Sequence, residues 1–224
     1  MWCQNTIHWY DNIPIISYLL LGGRCRFCNS LISVRYPVVE LIVPVLWVFC
    51  FFLLKNANIF FVITIFFLLY VLVVTSFTDL DWKIIPNQAT YSLLLIGLLG
   101  SPWNPLIKED LLLNKIINSF WGMIVGGGSL YAVASIGKQV WGKDVMGGGD
   151  IKLLAALGSI LTWKGALVSL LLGSTLGGGL ALLGLSFGFL KPHQYIPFGP
   201  FLNMGAFFTL IVFFQYPQLL NYFY

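Results

Sequence analysis

Two aspartates stand at the boundaries of apolar runs, where a carboxylate is costly unless it has a partner or a task. Asp150 follows three glycines in Met-Gly-Gly-Gly-Asp and comes directly before an apolar run, while Asp79 ends another one. Two carboxylates that share a site hold one proton between them, so the charged one can take a proton from water while the neutral one donates to a carbonyl. Asp79 and Asp150 therefore predict an aspartyl protease inside a membrane protein.

The residues around each acid leave alternatives open. Asp81 lies two positions after Asp79, and position alone does not choose between them. An acid at a helix end can also be merely interfacial. The glycines before Asp150 permit close approach by a substrate strand or by the helix that carries Asp79. Lys152 is expected to anchor its helix end at the membrane interface by extending its ammonium group towards water.

The composition indicates a polytopic membrane protein. Of 224 residues, 58% are hydrophobic and 9% are charged, whereas a soluble domain has about 25% charged residues. The predicted fold class is all-α, a membrane helical bundle with a small N-terminal segment that contains cysteines and lies in the cytoplasm. The formal net charge of +4 reflects Lys and Arg in the loops, and no nucleic-acid partner is expected.

About seven membrane spans are predicted, because a span needs about 20 apolar residues. They lie near residues 38–54, 58–77, 87–103, 116–137, 151–163, 165–189 and 197–216. The run over 151–189 is nearly continuous, and Thr162-Trp163-Lys164-Gly165 is the best place to break it.

The basic residues predict the orientation, since Lys and Arg collect in cytoplasmic loops. With the N-terminus in the cytoplasm, eight basic residues fall inside and four outside. The inside set is Arg24, Arg26, Arg35, Lys83, Lys138, Lys143, Lys152 and Lys191. The outside set is Lys55, Lys108, Lys115 and Lys164. Asp79 and Asp150 then both lie at cytoplasmic ends of their spans.

Three of the four cysteines crowd into the polar N-terminal segment. Cys25 and Cys28 have the spacing of half a tetrahedral zinc site, and Cys3 is a plausible third ligand. A fourth ligand is missing unless it lies upstream or His8 substitutes; the alternative is three reduced cysteines that bind nothing. Cys50 lies inside an apolar run and is expected to be a packed side chain. We divide the chain into a zinc-binding-like segment, 1–37, and a membrane-embedded peptidase domain, 38–224.

The motifs together resemble the bacterial type IV prepilin peptidases, which belong to the G-x-G-D class of intramembrane aspartyl proteases. The resemblance covers essentially the whole chain. The matching strings are Trp9-Tyr-Asp-Asn-Ile-Pro14 with Ser17, Gly23-Arg-Cys-Arg-Phe-Cys28, Ser33-Val-Arg-Tyr-Pro-Val-Val-Glu40, Thr78-Asp-Leu-Asp-Trp-Lys-Ile-Ile-Pro-Asn87, Met146-Gly-Gly-Gly-Asp-Ile-Lys152 and Ile196-Pro-Phe-Gly-Pro-Phe201.

This resemblance implies a bifunctional enzyme of the bacterial inner membrane. It would cut the leader of type IV prepilins or type II secretion pseudopilins after a glycine, on the cytoplasmic side, and then methylate the new N-terminus with S-adenosylmethionine. The G-x-G-D acid maps onto Asp150, and the acid seven residues before the Pro of Ile-Pro-Asn maps onto Asp79 rather than Asp81. The zinc-binding segment maps onto residues 1–36, and Glu40 is a candidate for assisting methyl transfer. Prepilins and membrane lipid are the implied partners, while the oligomeric state is not indicated.

The chain departs from the resemblance at its N-terminus. The family has a further N-terminal membrane helix and a first C-x-x-C pair, of which only Cys3 is present here. This predicts an upstream start or a truncated product, so the alternative function is an inactive remnant that only binds pilin-assembly partners. A transporter that uses Asp79 and Asp150 for proton coupling is a third hypothesis, although the two halves show no clear repeat.

Overall fold

The computed structural model describes Cys3, residues 5–109, 111–142 and 146–189, Lys191, Gln194 and residues 196–216. Lys143, one of the basic residues used for orientation, lies outside this part. Seven α-helices are present in the described residues, and two short 3-10 turns occupy Trp9–Asn12 and Ser101–Trp103. The helices are α1 Ile16–Leu20, α2 Arg35–Leu53, α3 Ile59–Trp82, α4 Asn87–Gly100, α5 Leu112–Trp141, α6 Gly148–Ser186 and α7 Gly199–Gln215.

The predicted all-α class is confirmed. Four of the described helices, α2, α3, α5 and α6, are long and apolar enough to cross a membrane, as a multi-pass membrane protein requires. The helices α4 and α7 are shorter, with 14 and 17 residues. The number of crossings, seven from the sequence, stays a prediction. The chain forms two compact units, Met1–Phe49 and Cys50–Tyr224.

Helix α6 lies at the centre of the second unit, where it packs against α4, α5 and α7, while α3 packs against α4 and α7. Glycines permit the closest of these contacts. A Cβ atom on Gly122 of α5 would collide with the backbone oxygen of Gly158 of α6, and the reverse substitution would meet Gly122 in the same way. The two backbones therefore cross at a distance that only small residues allow.

The predicted break in the long apolar run is present at Thr162, whose φ of 68° and ψ of 173° interrupt α6. This conformation is strained for a β-branched residue. The break removes helical partners from nearby carbonyl groups, and side chains from other elements replace them. Asn104 Nδ2 donates to the carbonyl of Ile160 at 2.6 Å, and Ser119 Oγ donates to the carbonyl of Ser159 at 2.6 Å. Buried backbone groups thus stay paired where no water is expected.

Helix α3 extends five residues beyond the predicted end of its span at residue 77. Asn58 begins the helix by accepting a hydrogen bond from the Phe60 N–H at 2.9 Å. Lys83 ends it in a left-handed conformation, with φ of 55°, and its N–H bonds the Asp79 carbonyl. This is a common way to close the last turn of a helix. Asp79 therefore lies within the last turn of α3 rather than in the loop after it.

Candidate functional site

Asp79 is buried at the end of α3, with 4% of its surface exposed. Its Oδ2 atom accepts a 2.9 Å hydrogen bond from the backbone N–H of Gly199, the first residue of α7. A Cβ atom at position 199 would come within 2.7 Å of the same oxygen. Asp81, which position alone could not separate from Asp79, is exposed. The structure therefore encloses Asp79 and leaves Asp81 at the surface.

Asp150 lies in the first turn of α6 and is buried, with 5% of its surface exposed. Its Oδ1 atom has no hydrogen-bond partner among the described residues. Asp79 interacts electrostatically with Asp150, so the two acids are near neighbours although 70 residues separate them in sequence. The structure therefore brings the two predicted carboxylates together at the ends of α3 and α6.

The glycines before Asp150 make room for the packing of the site. Gly149 lies against Ile85, and a Cβ atom at position 149 would approach the Ile85 Cβ to 2.9 Å. Gly147 lies beside Asp150 Oδ2, which a Cβ atom there would meet at 3.3 Å. Gly148, by contrast, has no neighbour within 4 Å of a built Cβ. Two of the three glycines thus have close neighbours that a side chain would displace.

Lys152, which is expected to anchor its helix end at the interface, contacts α4. Its Nζ donates to Asn87 Oδ1 at 3.0 Å and lies 5.6 Å from the ring centre of Tyr91. Asn87 is the first residue of α4. The contact therefore ties the start of α6, where Asp150 lies, to the start of α4.

Asn203, which lies one helical turn after Gly199 on α7, was not predicted as part of the site. Its Nδ2, with two N–H groups to donate, lies within hydrogen-bond distance of three acceptors of α3, the Leu72 carbonyl at 3.0 Å, Thr75 Oγ1 at 2.9 Å and Ser76 Oγ at 2.8 Å. These bonds hold α7 against α3 and thereby hold Gly199 beside Asp79. An amide within an otherwise apolar segment was the available signal, since polar side chains between membrane helices often join them.

The three N-terminal cysteines form the predicted cluster. Their sulfur atoms all lie within 4.8 Å of one another. A short turn presents Cys25 and Cys28, because the Cys25 N–H bonds the Ser30 carbonyl at 2.9 Å and the Asn29 N–H bonds the Cys25 carbonyl at 3.0 Å. Hydrogen bonds from Ser30 lower the pKa of Cys28 to about 7, which favours its thiolate. The separations fit three thiolate ligands of one zinc ion.

His8, the candidate substitute for a fourth ligand, is not in this cluster. Its ring stacks on Tyr10, with ring centres 5.1 Å apart, and packs against Phe27 at 5.5 Å. In the described part of the chain the cluster consists of the three thiols alone. Of the alternatives left open for the fourth ligand, His8 is therefore not the one that this structure supports.

Two further contacts organise the N-terminal unit. Arg26 forms a two-pronged ion pair with Asp11, with N–O distances of 2.7 and 2.8 Å. Glu40 accepts a hydrogen bond from the Ile15 N–H at 2.8 Å. Ile15 has a φ of 62°, a strained value for a β-branched residue. Glu40 therefore holds an unusual backbone conformation in place.

Two family models match the chain. The model described as the type IV leader peptidase family matches residues 66–183, and the one described as the bacterial peptidase A24 N-terminal domain matches residues 1–54. The first match contains both Asp79 and Asp150, and the second contains the three clustered cysteines.

Curated relatives carry the name prepilin leader peptidase/N-methyltransferase. The one from Aeromonas salmonicida is 37% identical over 212 residues, which cover 93% of this chain and 69% of the relative. The one from Pseudomonas aeruginosa is 32% identical over 214 residues, with coverage of 93% and 69%. The one from Legionella pneumophila is 30% identical over 224 residues, with coverage of 99% and 73%.

No solved structure matches the chain. The resemblance that the motifs indicated is confirmed by the family models and by the relatives. The chain belongs to the type IV leader peptidase family.

Proposed function

We propose that this protein is a prepilin leader peptidase in which Asp79 and Asp150 are the catalytic pair. The observation that carries the proposal is the burial of both carboxylates as neighbours that interact electrostatically. Membership of the type IV leader peptidase family and the names of the relatives support the reaction and its prepilin substrates.

The proposed mechanism needs neither a nucleophilic side chain nor a metal ion. The ionised carboxyl group takes a proton from water, and the resulting hydroxide attacks the carbonyl carbon of the scissile peptide. The protonated carboxyl group donates its proton to the carbonyl oxygen as the tetrahedral intermediate forms. The carboxyl group that took the proton from water then gives it to the leaving nitrogen, and the C–N bond breaks. A hydroxyl group of the intermediate returns its proton to the other carboxylate as the new carboxylic acid forms. The Gly199 N–H holds Oδ2 of Asp79, so Oδ1 of Asp79 is the oxygen that takes the proton from the attacking water.

The proposed location is the bacterial inner membrane, with the N-terminus in the cytoplasm. The distribution of basic residues, eight inside against four outside, supports this orientation. It places the Asp79 and Asp150 ends of α3 and α6 on the cytoplasmic side, where the leader would be cut after its glycine. We keep the proposed division into an N-terminal segment, 1–37, and a peptidase domain, 38–224.

We further propose that the protein methylates the new N-terminus. The relatives' names and the match of residues 1–54 to the bacterial N-terminal domain support a second activity. S-adenosylmethionine would supply an electrophilic methyl group to the free amine. The strained Ile15 and the Glu40 carboxylate that holds it make this part of the N-terminal unit the candidate region, because strain of this kind clusters at functional sites.

A zinc ion held by Cys3, Cys25 and Cys28 is the proposed metal site. The close approach of the three sulfur atoms supports it. The ion would have a structural role, because it would tie Cys3 to the turn formed by Cys25 and Cys28. No proposed step of peptide cleavage passes through it.

The test is co-expression of the 224-residue chain with a type IV prepilin in a bacterium that lacks its own peptidase. Mass spectrometry then reads the pilin N-terminus. A shortened and methylated terminus supports both activities. A shortened terminus without a methyl group contradicts the methyltransferase proposal alone. An intact leader, with the protein shown to be in the membrane, contradicts the peptidase proposal and favours the remnant.

A further inference from the structure

A cleft of about 420 Å³ lies far from the two aspartates, between the start of α5 and the part of α6 just after its break at Thr162. Asp150 lies in the first turn of α6, and the cleft residue Trp163 comes 13 positions later, roughly 20 Å away along the helix. The cleft is therefore separate from the peptidase site. Its lining is Glu109, Asn114, Ile117, Asn118, Trp121, Val125 and Trp163.

One face of α5 forms most of this cleft. Four of its five lining residues, 114, 118, 121 and 125, follow one another at intervals of three or four positions, and Ile117 lies three positions after the first of them, which is the spacing of a single helix face. The polar members, Asn114 and Asn118, lie near the helix start, and Val125 lies two turns further along. The cleft thus has a polar end and continues along the apolar surface of a membrane-crossing helix. A lipid molecule has the same order, with a polar headgroup followed by an apolar chain.

The polar end offers acceptors for a hydrogen-bond donor. Glu109 supplies a carboxylate, and Asn114 Nδ2 lies 3.5 Å from its Oε2. Asn118 Oδ1 is buried and has no hydrogen-bond partner in the part of the chain that the structure describes. A buried acceptor without a donor calls for a partner that the protein itself does not provide. The indole rings of Trp121 and Trp163 add aromatic surface to the lining. Together these groups suit a primary ammonium group.

Positive charge lies beside the same cleft. The Lys164 ammonium lies 5.5 Å from the ring centre of Trp163, and Lys164 interacts electrostatically with Lys108. A free amine would gain nothing from these lysines, whereas a phosphodiester next to the amine would be attracted to them. A molecule that has an ammonium group, a phosphate and an apolar tail therefore matches the cleft along its whole length.

We propose that this cleft binds a phospholipid with an ethanolamine headgroup. The ammonium group donates to Glu109 and Asn118, the phosphate lies towards the lysines, and an acyl chain follows Ile117 and Val125. A choline headgroup fits less well, because its quaternary nitrogen has no N–H to give to the buried acceptor.

Native mass spectrometry of the full-length protein in detergent tests the proposal, with phosphatidylethanolamine, phosphatidylcholine and phosphatidylglycerol of identical acyl chains. Retention of the ethanolamine lipid is expected to exceed that of the choline lipid at least tenfold. Glu109→Gln and Asn118→Leu should each lower it about tenfold. Asp81→Asn, which removes an exposed carboxylate at the other end of the molecule, should leave it unchanged.

Equal retention of the ethanolamine and choline lipids would overturn the proposal, as would wild-type retention by Glu109→Gln. Glu109 lies outside the helices, so Glu109→Gln does not alter a helix and still tests the proposal if Asn118→Leu fails to fold. Soluble phosphoethanolamine at the same concentration as the lipid should not displace it. Displacement would contradict a lipid ligand and assign the cleft to a soluble amine.

Discussion

The backbone N–H of Gly199 donates a 2.9 Å hydrogen bond to Oδ2 of Asp79, across 120 residues of sequence. This bond joins the first residue of α7 to the last turn of α3. It gives Asp79 a fixed orientation that its own helix cannot provide. The proposed peptidase therefore depends on α7 as well as on the two helices that carry its acids.

Replacing Gly199 with Ala should slow prepilin cleavage by roughly tenfold to a hundredfold, the scale on which misplaced catalytic groups lose activity. The added Cβ would come within 2.7 Å of Asp79 Oδ2 and push the carboxylate away. Gly178→Ala is the matched control, because nothing lies within 4 Å of its built Cβ. Cleavage rates measured at equal membrane levels of each protein provide the readout. Equal rates for the two variants would contradict the role given to Gly199.

Asn203→Leu should lower the free energy of unfolding by about 1–2 kcal/mol, the measured range for hydrogen bonds between membrane helices in model peptides. The change removes the hydrogen bonds that the two N–H groups of Asn203 donate to α3 and keeps a similar side-chain volume. Unfolding by denaturant in mild detergent measures the loss. Ser174→Ala, at an exposed position of α6, should stay within about 0.5 kcal/mol of the wild type. A loss no greater than that of the control would show that Asn203 does not join the two helices.

Gly122→Ala should destabilise the protein by about 1–3 kcal/mol or prevent its folding, because the new methyl group meets the Gly158 backbone oxygen. A backbone atom cannot rotate away as a side chain can. Gly128→Ala, six residues along the same helix, has nothing within 4 Å and should be tolerated. Thermal unfolding and the yield of monodisperse protein give the comparison. Similar behaviour of the two variants would contradict the close crossing of α5 and α6.

Cys25→Ser should remove bound zinc while peptide cleavage continues, since the cysteine cluster takes no part in the proposed cleavage. Elemental analysis of purified protein should find about one zinc per chain in the wild type and much less in the variant. Cys50→Ser is the control, because Cys50 is a fully buried side chain outside the cluster. Zinc-free wild-type protein prepared without chelator would contradict the proposed metal site.

Much of this architecture could be predicted because hydrophobicity determines it directly. The apolar runs predicted the helices, and Thr162-Trp163-Lys164-Gly165 marked the break that the structure has at Thr162. The glycines before Asp150 marked that acid, whereas the choice of Asp79 over Asp81 came from the resemblance and not from position alone. The end of α3 at Trp82 was not predicted, because the residues that extend it, including Asp79 and Asp81, are polar and hydrophobicity alone ends the span earlier.

The contacts made by α7 could not be read from the sequence. The bond from Gly199 to Asp79 depends on how α7 packs against α3, and no local pattern encodes a pairing across that distance. The sequence marked Asn203, because it is an amide in an apolar segment, but nothing in the sequence marked the acceptors on α3 to which it donates. Whether His8 supplies the fourth ligand could not be decided from the sequence for a related reason, because its stacking on Tyr10 depends on the conformation of the turn between them.

Cleavage of a prepilin by Asp79→Asn, Asp150→Asn and Asp81→Asn variants tests the central proposal most directly. All three changes exchange a carboxylate for an amide of nearly the same size, and the exposed Asp81 serves as the matched control for the buried Asp79. With equal amounts of each protein in the membrane, we expect no detectable shortening of the pilin with the Asp79 and Asp150 variants and near-normal shortening with the Asp81 variant. Normal cleavage by either the Asp79 or the Asp150 variant would contradict a two-aspartate mechanism.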